Sequence, residues 1–123
     1  PDIIVVLDPT LLPILKLEDK FDHRATVIVN STKEPSQLNL SGFRKVGIAD
    51  VTRIALDNKL TMAGVAILNT PILGAFVRTT ELVSLSSVEK AIIDKFSREK
   101  AALNILAAQM TYESTCIYTN TGA

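Results

Sequence analysis

Ile3-Ile4-Val5-Val6-Leu7-Asp8-Pro9-Thr10 decides the fold class. Five apolar residues, mostly β-branched, give way at once to an acid and a proline. A run this short and apolar on both faces predicts a strand buried inside a parallel sheet. Asp8-Pro9-Thr10 closes it, and Leu11, Leu12 and Leu15 behind the proline predict a short amphipathic helix. The same strand-then-break unit recurs at Thr26-Val27-Ile28-Val29, closed by Asn30-Ser31-Thr32. It recurs again at Lys45-Val46-Gly47-Ile48-Ala49, closed by Asp50. Pro35 to Leu40 reads as a turn or one helical turn, and Val51, Ile54, Ala55 and Leu56 form one helical stripe. Strands alternating with helices predict an α/β fold, an open, mostly parallel sheet of Rossmann or flavodoxin-like type with right-handed crossovers.

The remainder of the chain predicts a helical carboxyl-terminal half. Asn69-Thr70-Pro71 is a helix start, with the asparagine or threonine as cap and the proline in the first turn. Ile72-Leu73-Gly74-Ala75-Phe76-Val77 is apolar all round, so that helix is expected to be buried on more than one side. Ser86-Ser87-Val88-Glu89 has capping-box spacing, with Val88, Ala91, Ile92 and Phe96 as the stripe behind it. A last helix is expected from Arg98 to Tyr112, with Leu103, Leu106, Ala107 and Met110 on one face. Its alanines at 101, 102, 107 and 108 would permit close approach of another helix. There is no repeat, linker or low-complexity tract, so residues 1–123 are read as a single domain.

Composition narrows the functions. The 123 residues are 47% hydrophobic and 21% charged, a globular balance. Thirteen basic and thirteen acidic residues cancel, leaving no positive field for nucleic acid. The longest apolar run, Ile3 to Leu7, is far too short to span a membrane. The single cysteine, Cys116, allows neither an internal disulfide nor a cluster held by this chain's cysteines alone, and a reducing, cytoplasmic setting is expected. Cys116 reads as a tail residue, and His23, the one histidine, as a solvated loop residue between Asp22 and Arg24. Neither has the partner that nucleophilic catalysis needs. No cysteine or histidine spacing suits a metal, and no Gly-x-Gly-x-x-Gly or Gly-Lys-Ser/Thr loop cradles phosphate. Asp8 and Asp50 stand at the carboxyl ends of strands, where open parallel sheets bind ligands. Strand-end aspartates also cap helices, and both readings stay open. The same pair of readings applies to Asn69 and Thr70, either caps or contacts to an anion at a helix start.

Five ordered stretches carry a family resemblance. They are Pro1-Asp2-Ile3-Ile4-Val5-Val6-Leu7-Asp8-Pro9-Thr10-Leu11-Leu12, then Ile28-Val29-Asn30-Ser31, then Ala49-Asp50-Val51-Thr52-Arg53-Ile54-Ala55. Asn69-Thr70-Pro71-Ile72-Leu73-Gly74-Ala75-Phe76 and Leu82-Val83-Ser84-Leu85-Ser86-Ser87-Val88-Glu89-Lys90-Ala91-Ile92 follow, with Tyr112-Glu113 late in the chain. Together they resemble the gamma component of 2-oxoacid:ferredoxin oxidoreductases, the pyruvate synthase group. Gamma components of that family open with a strand and a Gly-Arg-Gly-Gly-Gln-Gly loop that this sequence lacks. The resemblance therefore implies the carboxyl-terminal two-thirds of a gamma domain, incomplete at its amino terminus.

It also implies a role in coenzyme A-dependent oxidative decarboxylation of a 2-oxoacid, with Asp8-Pro9-Thr10-Leu11-Leu12 leaning toward pyruvate rather than 2-oxoglutarate. Thiamine diphosphate with Mg, and iron–sulfur clusters, would then sit on alpha, beta and delta (ferredoxin-like) subunits, with ferredoxin or flavodoxin as electron carrier. Nothing in this chain is expected to be catalytic or to hold a metal. Asp8, Asp50, Asn69 and Thr70 are the candidates for a composite coenzyme A pocket. Two other readings stand beside this one. A tautomerase would use an amino-terminal proline, here Pro1, as general base, but the Asp8-Pro9 break does not suit its opening strand and helix. A stand-alone flavodoxin-like binding module would be a monomer with its own pocket.

Overall fold

The computed structural model describes residues 2–120. Pro1, and with it the general base of a tautomerase, lies outside the described residues. The chain runs through β1 (Ile3–Val6), a 3-10 turn (Pro9–Leu11), α1 (Leu12–Leu15), α2 (Leu17–Lys20) and β2 (Thr26–Asn30). A second 3-10 turn (Pro35–Leu38) leads to β3 (Lys45–Ala49) and α3 (Val51–Asp57). A small hairpin, β4 (Thr61–Met62) and β5 (Val65–Ala66), precedes α4 (Ile72–Thr80), α5 (Leu85–Lys95), α6 (Arg98–Ser114) and β6 (Cys116–Thr119).

The four-stranded sheet has the order β1-β2-β3-β6. β1, β2 and β3 are parallel, with Ile3 opposite Thr26 and Thr26 opposite Lys45, whereas β6 is antiparallel to β3. Its helices and mostly parallel strands agree with the α/β expectation. β2 is buried from Val27 to Asn30, as an apolar run inside a parallel sheet requires. On one face Val27, Val29, Val46 and Ile48 pack against Leu12, Leu17, Leu40 and Phe43 of the short connections. On the other, Ile28 and Ala49 meet Ile72 and Ala75 of α4.

Two glycines set how closely the layers approach. A methyl at Gly47 would fall on the Thr79 side chain, so α4 rests directly on β3. A methyl at Gly74 would fall on the Ala108 carbonyl of α6. α5 completes the helical layer, with Val88 and Ile92 beside Val77, Ala101 and Ala108. Thr79 is fully buried, and its Oγ1 has no hydrogen-bond partner. A buried hydroxyl left unpaired costs about 1 kcal/mol or more. Thr79→Val, which keeps the shape and removes that group, is therefore expected to raise Tm; a lowered Tm would show that the hydroxyl is bonded after all.

β1 is an edge strand of the described sheet, with Val5 43% exposed and the following Leu7 also exposed. Four sequence expectations need correction. The tail is not loose, because Cys116–Thr119 adds a strand along β3. α5 is capped by Ser84, whose hydroxyl accepts from Ser87 N, and not by Ser86. Leu56 and Ala91, placed in apolar stripes, are exposed. In α6 the large residues Leu103, Leu106 and Met110 face outward, while Ala101, Asn104, Ala107, Ala108 and Thr111 face in. The cause is Gly74. A helix that sits this close to α6 admits only small side chains between the two backbones.

Candidate functional site

The carboxyl ends of β1, β2 and β3 open into a cleft of about 460 Å³. It is lined by Pro9, Thr10 and Leu12 after β1, by Asn30 and the following Ser31, Thr32 and Lys33, by Gln37 and Asn39 at the second 3-10 turn, and by Asp50 and Thr52 after β3. Among its lining residues Lys33 is the one base and Asp50 the one acid.

Asn30 ties the three strand ends together. Buried at the end of β2, it donates from Nδ2 to the Leu7 carbonyl (3.0 Å) and to Thr52 Oγ1 (2.8 Å). Its Oδ1 accepts from Val51 N (2.9 Å) and Thr52 N (3.2 Å). Asp50 accepts from Arg53 N (3.1 Å). The first three N–H groups of α3 are thus all taken by side chains, which leaves none of them for a phosphate. Asp8 is likewise a cap, accepting from Thr10 N (3.0 Å) and from the Thr10 hydroxyl. Capping is what both aspartates visibly do; Asp50 also lines the cleft, whereas Asp8 does not.

Asn69 and Thr70 lie at the same end of the sheet, because Ile72 at the start of α4 packs against Ala49 and Val51. They are outside the cleft lining, Asn69 exposed and Thr70 buried. Neither caps α4: Pro71 occupies the cap position, and no side chain bonds there. Nor does the start of α4 offer free N–H groups to an anion. Ile72 N donates to Leu68 O, Leu73 N to Thr70 O and Gly74 N to Pro71 O, and proline has no N–H. A contact from Asn69 or Thr70 to a ligand would therefore have to come from the side chains and not from free N–H groups of α4.

The other polar features are remote from the cleft. Asp22 and Arg24, before the amino end of β2, pair at 2.7 Å on the surface. The hydrogen bond from the Arg24 side chain, then that from its backbone, holds the Asp22 carboxyl down at about 2. His23 donates or accepts through Nε2 at the Glu18 carbonyl (2.9 Å) and its ring packs on Phe43. Among the described residues, no group of three or more His, Cys, Asp or Glu is placed to hold a metal, and no helix is long and apolar enough to cross a membrane. Sequence reasoning overlooked Lys33, Gln37, Asn39 and Thr52 as cleft residues. Ordinary loop polars carry no signal until the fold brings them together.

Fold and cleft together define an α/β domain with a ligand-sized hollow at its strand ends, lined by one base, Lys33, and one acid, Asp50. The family follows from comparison. The model of the pyruvate ferredoxin/flavodoxin oxidoreductase family matches residues 1–114, and the chain belongs to that family. It is 38% identical to the pyruvate/ketoisovalerate oxidoreductases common subunit gamma of Pyrococcus furiosus, over 96% of this chain and 63% of that protein. It is 37% identical to the pyruvate synthase subunit PorC of Methanocaldococcus jannaschii, over 91% of this chain and 58% of that protein. The crystal structure of the pyruvate oxidoreductase subunit PORC from Thermotoga maritima superposes with a TM-score of 0.79 at 33% identity, covering 95% of this chain and 65% of that one. The chain thus spans a little under two-thirds of the relatives it matches.

Proposed function

We propose that this chain is the larger part of a gamma component in a multi-subunit 2-oxoacid:ferredoxin oxidoreductase acting on pyruvate. It supplies scaffold and one wall of a composite coenzyme A pocket. The observation that carries the reading is the family match over residues 1–114, joined to a cleft at the strand ends that sets Lys33, Gln37 and Asn39 among apolar neighbours such as Leu12 and Leu38. The relatives' names support the subunit role. Thiamine diphosphate, its Mg and the iron–sulfur clusters belong on alpha, beta and delta subunits, since one exposed cysteine cannot hold a cluster. Ferredoxin or flavodoxin would take the electrons, in a cytoplasmic enzyme. The isolated chain is expected neither to bind thiamine diphosphate nor to oxidise pyruvate with any acceptor. Turnover by the pure chain, with contaminating enzyme excluded, would overturn this.

The pocket has its own test in the assembled enzyme. Lys33→Ala removes the positive charge of the cleft from an exposed side chain. It is expected to raise the Michaelis constant for coenzyme A severalfold while Tm stays put. Asn69→Ala breaks no cap of α4. In the same assay it decides whether the pocket reaches α4, and an unchanged constant for Asn69→Ala confines it to the cleft. If neither variant moves the constant, the chain is scaffold alone.

The domain reading extends this. We propose that the sheet continues past β1, where the edge is open and Val5 and Leu7 are exposed. A strand of four apolar residues without lysine, proline or bulge is poorly protected as an edge. A longer chain carrying the preceding segment is expected to melt higher and to associate less than residues 1–123. Identical melting and solution state would argue that the described edge is the natural one.

A further inference from the structure

The outer face of α6 carries an apolar stripe along one helix that the fold leaves partly uncovered. Leu103, Leu106 and Met110 are 41%, 47% and 37% exposed. With Glu99 and Glu113 they follow i, i+4, i+7, i+11, i+14 spacing, a single stripe about 21 Å long at 1.5 Å per residue. The opposite side of α6 is used up: Ala101, Ala108 and Tyr112 pack in the α4–α5 cluster, and Ala107 packs with Ile54 and Ala55 of α3. Large residues outside and small ones inside reverse the usual order for a surface helix. Leucines at such positions leave close to half of their surface in water in the free chain. Met110 is also held in place, its Sδ 3.4 Å from Asn58 Nδ2 at the end of α3.

We propose that this stripe docks a different subunit of the oxidoreductase, through an apolar ridge bordered by Lys or Arg. The inference rests on reading the chain as a subunit, and it adds where the partner sits and what chemistry that partner shows. Charge selects the occupant. The stripe bears acids at both ends, Glu99 and Glu113, and both are exposed, while the bases Arg98 and Lys100 stand on its two flanks beside Glu99. A second copy laid antiparallel would set Glu99 against Glu113 at each end, and laid parallel would set each acid against itself. Like charges meet either way, which disfavours self-association and selects a basic border.

The subunit containing this chain, co-expressed with the other subunits of its enzyme, gives the test. Leu103→Ser with Leu106→Ser is expected to weaken association about tenfold or more. Glu99→Lys with Glu113→Lys is expected to weaken it severalfold and to flatten its salt dependence. Ile14→Ser, an exposed apolar residue of α1 on another part of the surface, is expected to leave association unchanged. The glutamate and Ile14 variants should keep the wild-type Tm, while the leucine variant, whose side chains are about half-buried, should lower it somewhat and still fold. A complex that forms with wild-type affinity in both α6 variants overturns the docking surface and leaves the subunit reading standing. Tighter association of the lysine variant overturns the basic border. A wild-type subunit that forms its own dimer, broken by the serine variant, replaces the proposed occupant with a second copy. A wild-type subunit that binds no other subunit overturns the subunit reading itself.

Discussion

Asn30→Ala is expected to destabilise the chain more than any other single polar substitution at the strand ends. The side chain makes four hydrogen bonds, two given and two received, from the carboxyl end of β2. Alanine removes both acceptor contacts of the α3 start, orphaning Val51 N, which is fully buried, and Thr52 N. It also frees the Leu7 carbonyl, so the end of β1 loses its tie to α3. Each bond is worth about 1 kcal/mol net, and a buried orphan donor costs about 1–3 kcal/mol, which puts the loss near 3 kcal/mol. For a domain of this size that is a fall in Tm of about 10 °C. Asn30→Asp keeps an acceptor for the two N–H groups and should lose about half as much. If thermal melting shows alanine and aspartate equally harmful, the α3 start is not what Asn30 secures. If alanine is harmless, the network contributes nothing to stability.

The parts of this fold written plainly in the sequence are those in which one physical effect dominates. Val27-Ile28-Val29 and Val46-Gly47-Ile48 could only be buried strands, and they are. The elements that escaped are short or depend on distant partners. β4 and β5 have two residues each, and their turn rests on Ala63 and Gly64 at φ 52° and 80°, of which only the glycine is a turn signal. β6 follows α6 with a single intervening residue, Thr115, and exists because β3 offers an edge. The α6 stripe was misread because size was taken as the guide to burial. A neighbouring helix at contact distance inverts that rule: the alanines of α6 allow such an approach, but local spacing does not say that their face and not the leucine face is the one covered.

The site was legible in position more than in partners. Of the two strand-end aspartates, Asp50 lines the cleft and Asp8 does not. Asp8 and Asp50 were ambiguous from sequence because a cap and a ligand contact need the same residue at the same spot, and their hydrogen bonds show both capping. Asn69 and Thr70 resembled caps by type, yet Pro71 takes the cap position and carbonyls of residues 68, 70 and 71 absorb the N–H groups. That outcome depends on the backbone path before α4, which no local spacing encodes.

Gly74→Ala is the second substitution expected to act strongly, and its sign is opposite to the usual rule for helices. Alanine in place of glycine inside a helix ordinarily stabilises by about 1 kcal/mol. Here the added methyl would fall on the Ala108 carbonyl oxygen and lie 2.7 Å from Tyr112 N. Those are backbone atoms that α6 pairs in its own i to i+4 ladder, so no rotamer change can move them aside. α4 and α6 must separate, pulling apart Val77, Ala101 and Ala108 in the helical cluster. Because α4 also rests on Gly47 of β3 through Thr79, it cannot retreat toward the sheet. Overpacking without an escape route costs about 3 kcal/mol, which outweighs the propensity gain and leaves a net loss near 2 kcal/mol. The expected fall in Tm is about 8 °C. Ala102→Ser, on the exposed side of the same interface partner, should shift Tm by far less. An unchanged or raised Tm for Gly74→Ala would mean that α4 and α6 do not meet as closely as described, and the outward turn of Leu103, Leu106 and Met110 would lose its explanation.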